Sequence, residues 1–404
     1  MFLMRRVIVS GIVFLLVQFL NYGLLIHRVE PFMYQFYLIA WWSYVVCLDM
    51  ALCRGRPATV LNGRLTYLVI VSCAFWCLFE LLNVRLQNWF YINLPRFTPL
   101  RFAGYLVAFG TVIPAILVTK EAVSRMLPRL ACRRFSLKGY PIRAITAGAL
   151  MLVLVLLFPR HLFPFAWVFL APVTDALNYA RGFPSFMRDL EEGSPGRLIA
   201  TLLSGLVCGI LWEAWNYWAV AKWIYTVPFF ENTKIFEMPV LGYLGFSLFA
   251  VETISFLDLL QNSRVFAAHQ LRTAALALCL SAVTFMLIDR HTVFSFAAPV
   301  RDLTFISGTM RAHLEETGIR TSHAVHGALL EPHERDMLDL VHLNGLGLEA
   351  TRRLADQGIS NTDGVSAMSA SRFGAVVGEE NPRRVRVFLR AARESAKKAA
   401  VTEP

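Results

Sequence analysis

The chain has 404 residues, of which 56% are hydrophobic and 17% charged, and its formal net charge is +11. Mean hydropathy is +0.52. A soluble domain is typically about 45–50% apolar, so this composition excludes an ordinary water-soluble enzyme and points to a polytopic helical membrane protein.

In chain order, runs approaching the ~20 apolar residues that cross a bilayer predict spans at 7–26, 33–53, 66–86, 102–120, 144–158, 163–178, 197–219, 239–261 and 271–288. The fifth and sixth are short for single spans. The first follows Arg5 and Arg6, and "LVQFLNYGLLIHRVEP" offers no small-x-small cleavage site, so it reads as a retained span. Lys and Arg concentrate in loops on the N-terminal side, most densely in "KEAVSRMLPRLACRRFSLKGYPIR" after the fourth span. That bias puts the N-terminus in the cytoplasm, expected to be that of a bacterium with the chain in its inner membrane. Nine spans then put the C-terminal region outside, although its tail "NPRRVRVFLRAARESAKKAA" is basic. Either the count is wrong by one or the basic tail is external. The seven Cys residues show no CxxC and read as small core residues.

The chain also repeats itself. "AWWSYVVCLDMALCRGRP" (40–57) matches "AWVFLAPVTDALNYARGFP" (166–184), each with Asp eight residues after Trp (Asp49, Asp175) and then Arg-Gly and Pro. "FELLNVRLQNWFYINLP" (79–95) matches "WEAWNYWAVAKWIYTVP" (212–228), sharing Glu80/Glu213, Asn83/Asn216, Trp89/Trp223, Tyr91/Tyr225 and Pro95/Pro228. "GYLVAF" (104–109) matches "GYLGFS" (242–247). The blocks keep their order, which predicts a tandem duplication of a four-helix unit. An even number of spans per unit makes the two units parallel, related by an axis along the membrane normal.

Glu and Asn at i and i+3 share a helix face. A buried acid in a span costs roughly 2.5–3.5 kcal/mol on insertion scales and is normally paired or functional. Two readings stay open. In one, the acids and amides cap a following element or pair with Arg85 and Lys222, and the Trp and Tyr residues anchor an outer aromatic belt. In the other, Glu80, Asn83, Glu213, Asn216 and Glu252 converge as catalytic groups. Trp89, Tyr91, Trp223, Tyr225 and Glu237 then wall a substrate pocket, where a carboxyl serves as general acid. Asp49 and Asp175 lie toward the inner side. This combination of acids, aromatics and duplicated small helical units resembles the integral-membrane lycopene cyclases, which implies a lipid- or isoprenoid-modifying activity. The acidic pair after a proline in that family has no counterpart here, where "FEMP" puts Glu237 before Pro239, so no catalytic residue is carried across.

Beyond residue 290 the composition becomes soluble. "LVHLNGLGLEATRRLADQGISNTDGVSAM" (340–368) resembles the helix-hairpin-helix family, with its hairpin at Leu343-Asn344-Gly345-Leu346-Gly347 and its second helix over 349–356. The resemblance implies that Asn344, Gly345, Leu346 and Gly347 contact a partner or a backbone phosphate. A degenerate copy, "LTFISGTMRAHLEETGIRT" (303–321), aligns without a gap and sets Leu303, Leu314, Gly318 and Ile319 on Leu343, Leu354, Gly358 and Ile359. A third hairpin-like turn, "VVGEENPRRVRVFL" (376–389), follows with Arg383, Arg384 and Arg386. Protein partners or self-association are favoured over nucleic acid, and Lys397 and Lys398 are placed to touch anionic lipid.

No GxGxxG, Walker, HExxH or GxSxG motif is present, and His323 and His326 form a lone HxxH, so neither cofactor nor metal is expected. The expected fold is all-α. Two tandem parallel four-helix repeats (1–130 and 140–265) are followed by an extra span (266–290) and a small helix-hairpin-helix domain (296–404). The expected function is lipid or isoprenoid modification, with a membrane-anchored adaptor or a transporter as alternatives.

Overall fold

A computed structural model describes residues 2–53, 58–229, 233–264 and 268–402. The chain is an all-α polytopic bundle. In order, the helices of the first half are α1 (Phe2–Ile26), α2 (Phe32–Leu52), α3 (Leu65–Leu86), α4 (Thr98–Phe109) and α5 (Val112–Met126), with strand β1 (Trp89–Ile92) between α3 and α4. The second half holds α6 (Tyr140–Leu157), α7 (Leu170–Arg181), α8 (Phe186–Glu191), α9 (Gly196–Trp218), β2 (Lys222–Tyr225), β3 (Lys234–Ile235), β4 (Met238–Pro239) and α10 (Gly242–Asn262). Then come α11 (Gln270–His291) and the C-terminal helices α12 (Gly308–Glu316), α13 (Pro332–His342), α14 (Gly347–Ala355), α15 (Thr362–Ser366), α16 (Ala370–Val377) and α17 (Pro382–Thr402).

Eight segments are long and apolar enough to cross a membrane, counting α4 and α5 as one. The protein is therefore an integral membrane protein with multiple passes. Seven of the predicted spans, and the pair α4–α5 in place of the fourth, are found within a few residues. The sixth, 163–178, is not one helix. It is a 3-10 turn over Phe163–Trp167 followed by α7, whose 12 residues reach only about 18 Å at 1.5 Å per residue. The α4–α5 break at Gly110–Thr111 is repaired from outside the helix. Ser72 Oγ donates to Phe109 O at 2.7 Å and accepts Ile113 N–H at 3.0 Å, replacing the ladder bonds that the turn interrupts.

Contacts at the helix ends define two faces of the bundle. On the first face Arg6 reaches Cys53 O (3.4 Å), Arg125 reaches Leu52 O (2.6 Å), and Arg197 at the start of α9 pairs with Asp258 at the end of α10 (2.7 Å). On the second face Glu30, just after α1, accepts from Arg320 N (2.7 Å), and Tyr91 N donates to Thr292 O beyond α11 (2.7 Å). The start of α1 and the C-terminal domain thus lie on opposite faces, which requires an odd number of crossings. The broken segment supplies the odd one. Ala166 packs with Leu86 and Val155 near the second face, whereas Asp175 accepts from Tyr140 OH (2.7 Å) near the first.

α9 and α10 approach closely through Gly205-x-x-x-Gly209. A Cβ on Gly205 would stand 2.3 Å from Phe246 O, and one on Gly209 2.3 Å from the Phe246 ring. Small residues at four-residue spacing allow such backbone contact where lipid provides no hydrophobic drive.

The described fold departs from pure helix at one decisive place. β1 and β2 pair antiparallel, Trp89 opposite Tyr225 and Tyr91 opposite Trp223. Alternate side chains of a strand point to opposite faces, and both faces here are apolar. Trp89, Tyr91 and Tyr225 join the core of the membrane bundle, while Phe90, Ile92 and Ile224 join the core of the C-terminal domain. The ribbon is a plate between two cores. Of the aromatic residues shared by the two repeats, Trp89, Tyr91, Trp223 and Tyr225 are strand residues of this ribbon.

Candidate functional site

The duplicated acids and amides build this ribbon. Asn83, in the last turn of α3, accepts the N–H groups of Asn88 (2.8 Å) and Trp89 (3.3 Å) and donates to Trp89 O (2.9 Å). Asn216, in the last turn of α9, accepts Trp223 N–H (3.0 Å) and donates to Trp223 O (2.9 Å). One turn back, Glu80 Oε1 accepts from Tyr91 OH (2.6 Å), Trp76 Nε1 (2.9 Å) and Trp89 Nε1 (3.1 Å), and Glu213 Oε1 accepts from Tyr225 OH (2.9 Å). The i, i+3 spacing explains the division of labour. The amide reads the strand backbone and the acid reads its side chains, in both copies. All four residues are fully buried.

Glu252 does not join them. Its Oε1 accepts Leu170 N–H at 2.7 Å, capping the start of α7. Each of the three carboxyls leaves its second oxygen without a hydrogen-bond partner. Lys222 pairs with Glu237 (3.1 Å) rather than with Glu213, and Arg85 is exposed. Asp49 and Asp175 also share one role. Asp49 accepts the N–H groups of Thr59, Val60 and Leu61 (2.7–2.9 Å), and Asp175 those of Phe186 (2.7 Å) and Met187 (3.2 Å), each closing the loop after its helix. The Arg-Gly and Pro of the first copy of that block, in 54–57, lie outside the described residues.

Beneath the ribbon is a cavity of about 130 Å³. Tyr37, Trp76, Trp89, Tyr91, Trp212 and Trp223 wall it, and none of the five acids and amides read as catalytic lines it. Glu80, Asn83, Glu213 and Asn216 hold the aromatic strands that form its walls, and Glu252 holds the start of α7. Gln35, Leu100 and Gly104, which also line it, are partly or fully exposed, so the cavity opens sideways between α2 and α4. Two cations border it, Arg101 and Lys222. Arg101 is 6% exposed and holds Asp289 of α11 through Nε (2.9 and 3.0 Å) and Nη2 (2.5 Å), with Tyr105 OH on the same carboxylate (2.9 Å). Its Nη1 donates to Pro95 O (2.7 Å) and Arg96 O (2.9 Å), fixing the chain as it leaves the ribbon. Neither Arg101 nor Asp289 carries a sequence signature. They are 188 residues apart.

The hairpin of the C-terminal domain faces inward. Gly345 (φ 68°) gives its carbonyl to Ser295 Oγ at 2.6 Å, and a Cβ there would lie 2.5 Å from Ile92 of the ribbon. A Cβ on Gly347 (φ 77°) would lie 2.7 Å from Ser295 Cβ. Leu346 is buried in the domain core and Asn344 is exposed. The tight turn thus docks the domain on the chain's own ribbon. The degenerate copy ends its helix in the same way, with Ile319 N on Leu314 O (2.9 Å) as Ile359 N is on Leu354 O (3.0 Å). Arg383 donates to Leu86 O (2.7 Å) and to Thr226 O (2.9 Å) just after β2, and Arg384 to His291 O (2.9 Å), satisfying carbonyls at the ends of α3, β2 and α11.

His323 stacks on His342 (centroids 4.3 Å apart, 29° between planes) rather than pairing with His326. Burial, then the Arg28 charge, pulls His342 down to about 4, and burial, His342 and Arg28 hold His323 well below its usual range. The unfolded chain protonates these rings near 6.5, so between 6.5 and about 4 it binds protons that the folded chain refuses. Stability contributed here is fully present above that window and is lost as pH falls through it. From about pH 7 to about pH 5, His342 alone is expected to remove about 2 kcal/mol. Thermal unfolding in detergent measures this. A profile that is flat in wild type, or equally steep in His342→Phe, contradicts it. Among the described residues, no cluster of three or more His, Cys, Asp or Glu is placed to hold a metal.

No family model matches the chain, and no curated protein or solved structure does either.

Proposed function

We propose that the protein binds the apolar chain of a membrane lipid or isoprenoid in the aromatic cavity, admitted sideways between α2 and α4. The observation that carries this reading is a cavity walled by ten Trp and Tyr side chains, with a partly exposed mouth on a lipid-facing flank of the bundle. Aromatic walls offer large apolar contact at fixed geometry. The buried acids support those walls. Modification of the bound molecule would fall to groups that reach the cavity, such as Arg101 and Lys222, and not to Glu80, Glu213 or Glu252. The short loops of the first face carry Arg129, Arg133, Arg134 and Lys138, which favours a cytoplasmic first face. The cavity mouth, the ribbon and the C-terminal domain then belong to the external side.

Gly104 provides the test. It lines the cavity, and a Cβ on it meets nothing within 4 Å. Gly104→Phe is expected to fill the space without moving the backbone. Lipid co-purifying with the variant, identified by mass spectrometry, should fall by about tenfold or more, a loss of at least 1.4 kcal/mol, with the thermal midpoint kept. Equal lipid retention by wild type and variant refutes the reading.

A further inference from the structure

A second cavity, of about 300 Å³, lies across the ribbon edge from the first, between the α1–α2 turn, the ribbon and the C-terminal domain. Its lining is cationic. Arg28 and Lys222 come from the membrane part, and His323 and His342 from the C-terminal domain. No carboxylate is among the described residues that line it. Arg28 commits one guanidinium nitrogen to Val325 O (2.7 Å), and Lys222 contacts Glu237 (3.1 Å) from the cavity's edge. His342 Nε2 is buried and has no hydrogen-bond partner. Among the described residues, five other than glycine have positive φ, and three of them line this cavity: Arg28 (53°), Asn93 (56°) and Asn344 (45°). Such strain collects where a site needs side chains aimed against local preference.

The two cavities adjoin. Along β1's exit, Leu94 lines the aromatic cavity and Asn93 the cationic one. Along β2's entry, Ala221 lines the first, Val220 the second, and Lys222 both. The partition is a strand whose alternate residues face different compartments.

We propose that the cationic cavity is an anion site for a phosphate-class group, and that this group is the head of the amphiphile whose chain occupies the aromatic cavity. The head-group half of this assignment rests on the chain-binding reading above. A buried ring nitrogen without a hydrogen-bond partner, on His342, is costly unless a partner arrives, and it shares the cavity with the exposed Arg28 and with Lys222, whose one carboxylate partner, Glu237, is not part of the lining. An oxyanion supplies several acceptors at once. It would bridge Arg28 and Lys222 of the membrane part to both histidines of the C-terminal domain, so occupancy would tighten the seat between them. Burial first, and the Arg28 charge after it, lower the protonation of both rings, and an oxyanion beside them would oppose the second of these.

The test uses full-length protein in detergent and three probes: a long-chain alkyl phosphate, the alcohol with the same chain, and inorganic phosphate. Binding is read by calorimetry. The alkyl phosphate is expected to bind at least about tenfold more tightly than the alcohol. Arg28→Gln and His342→Gln should each reduce that advantage and leave alcohol binding unchanged. Gly104→Phe should weaken the alcohol and the alkyl phosphate together. Equal affinity of wild-type protein for alkyl phosphate and alcohol would overturn the anion site, leave chain binding intact, and require no variant. Inorganic phosphate binding as tightly as the alkyl phosphate, with no binding of the alcohol, would overturn the head-group assignment and the chain reading, leaving a site for the free anion.

Discussion

Gly345→Val is expected to release the C-terminal domain from the ribbon while the membrane bundle stays folded. Gly345 sits at φ 68°, where a side chain costs roughly 1–2 kcal/mol. The new Cβ would also fall 2.5 Å from both Cβ and Cδ1 of Ile92, and overpacking of a buried contact adds about 1–3 kcal/mol. Gly358 separates the two effects. It has φ 75° but open space around its missing Cβ, so Gly358→Val carries strain without a clash. Limited proteolysis of the connecting segment 292–299 is the readout. Cleavage should accelerate at least about tenfold in Gly345→Val, corresponding to 1.4 kcal/mol or more, and markedly less in Gly358→Val. Equal protection of Gly345→Val and wild type would mean that the hairpin does not hold the seat.

Arg101→Leu is expected to be the most damaging single change in the bundle. It strands Asp289 with only Tyr105 OH for company, and it frees Pro95 O and Arg96 O. Removing one partner of a buried pair costs about 3–5 kcal/mol, because the remaining charge is left uncompensated. Asp289→Leu in the same background removes that charge, so the double variant should regain a large part of the loss. Thermal unfolding of the single and double variants in detergent decides it. A single variant within about 1 kcal/mol of wild type would place this pair among weak surface bridges.

The spans were legible because each is a local property of about twenty consecutive residues. The paired acids and amides were legible because the chain states them twice, at one spacing. Their purpose was not, since Asn83 and Asn216 serve strands of only four residues whose partners lie 130 to 136 positions apart. "WFYI" and "KWIY" are short, almost wholly apolar runs that fit a strand buried on both faces, but so brief a run beside a membrane reads equally well as interfacial aromatics. The sixth span failed as a helix where Pro164 and Pro172 interrupt it. Arg28, Lys222 and His342 could not have been grouped from sequence, because the C-terminal domain must first fold back over the α1–α2 turn. The hairpin glycines were recognised as a tight turn, and only the packing shows that Ile92 and Ser295 occupy its outer surface.

The ribbon also sets an order of manufacture. β1 leaves the ribosome long before β2, so the first half enters the membrane with one strand lacking its mate and with Phe90 and Ile92 uncovered. Pairing with β2 closes one edge of β1; its other edge waits for Thr292 and Phe294, and its apolar upper surface for the domain made last. Arg383 and Arg384, close to the end of the chain, then lock the ends of helices built 297 and 93 residues earlier. A chain truncated before Pro382 would lack Phe388, which packs on Phe90 of the ribbon and on Phe294, and would leave both rings without that cover.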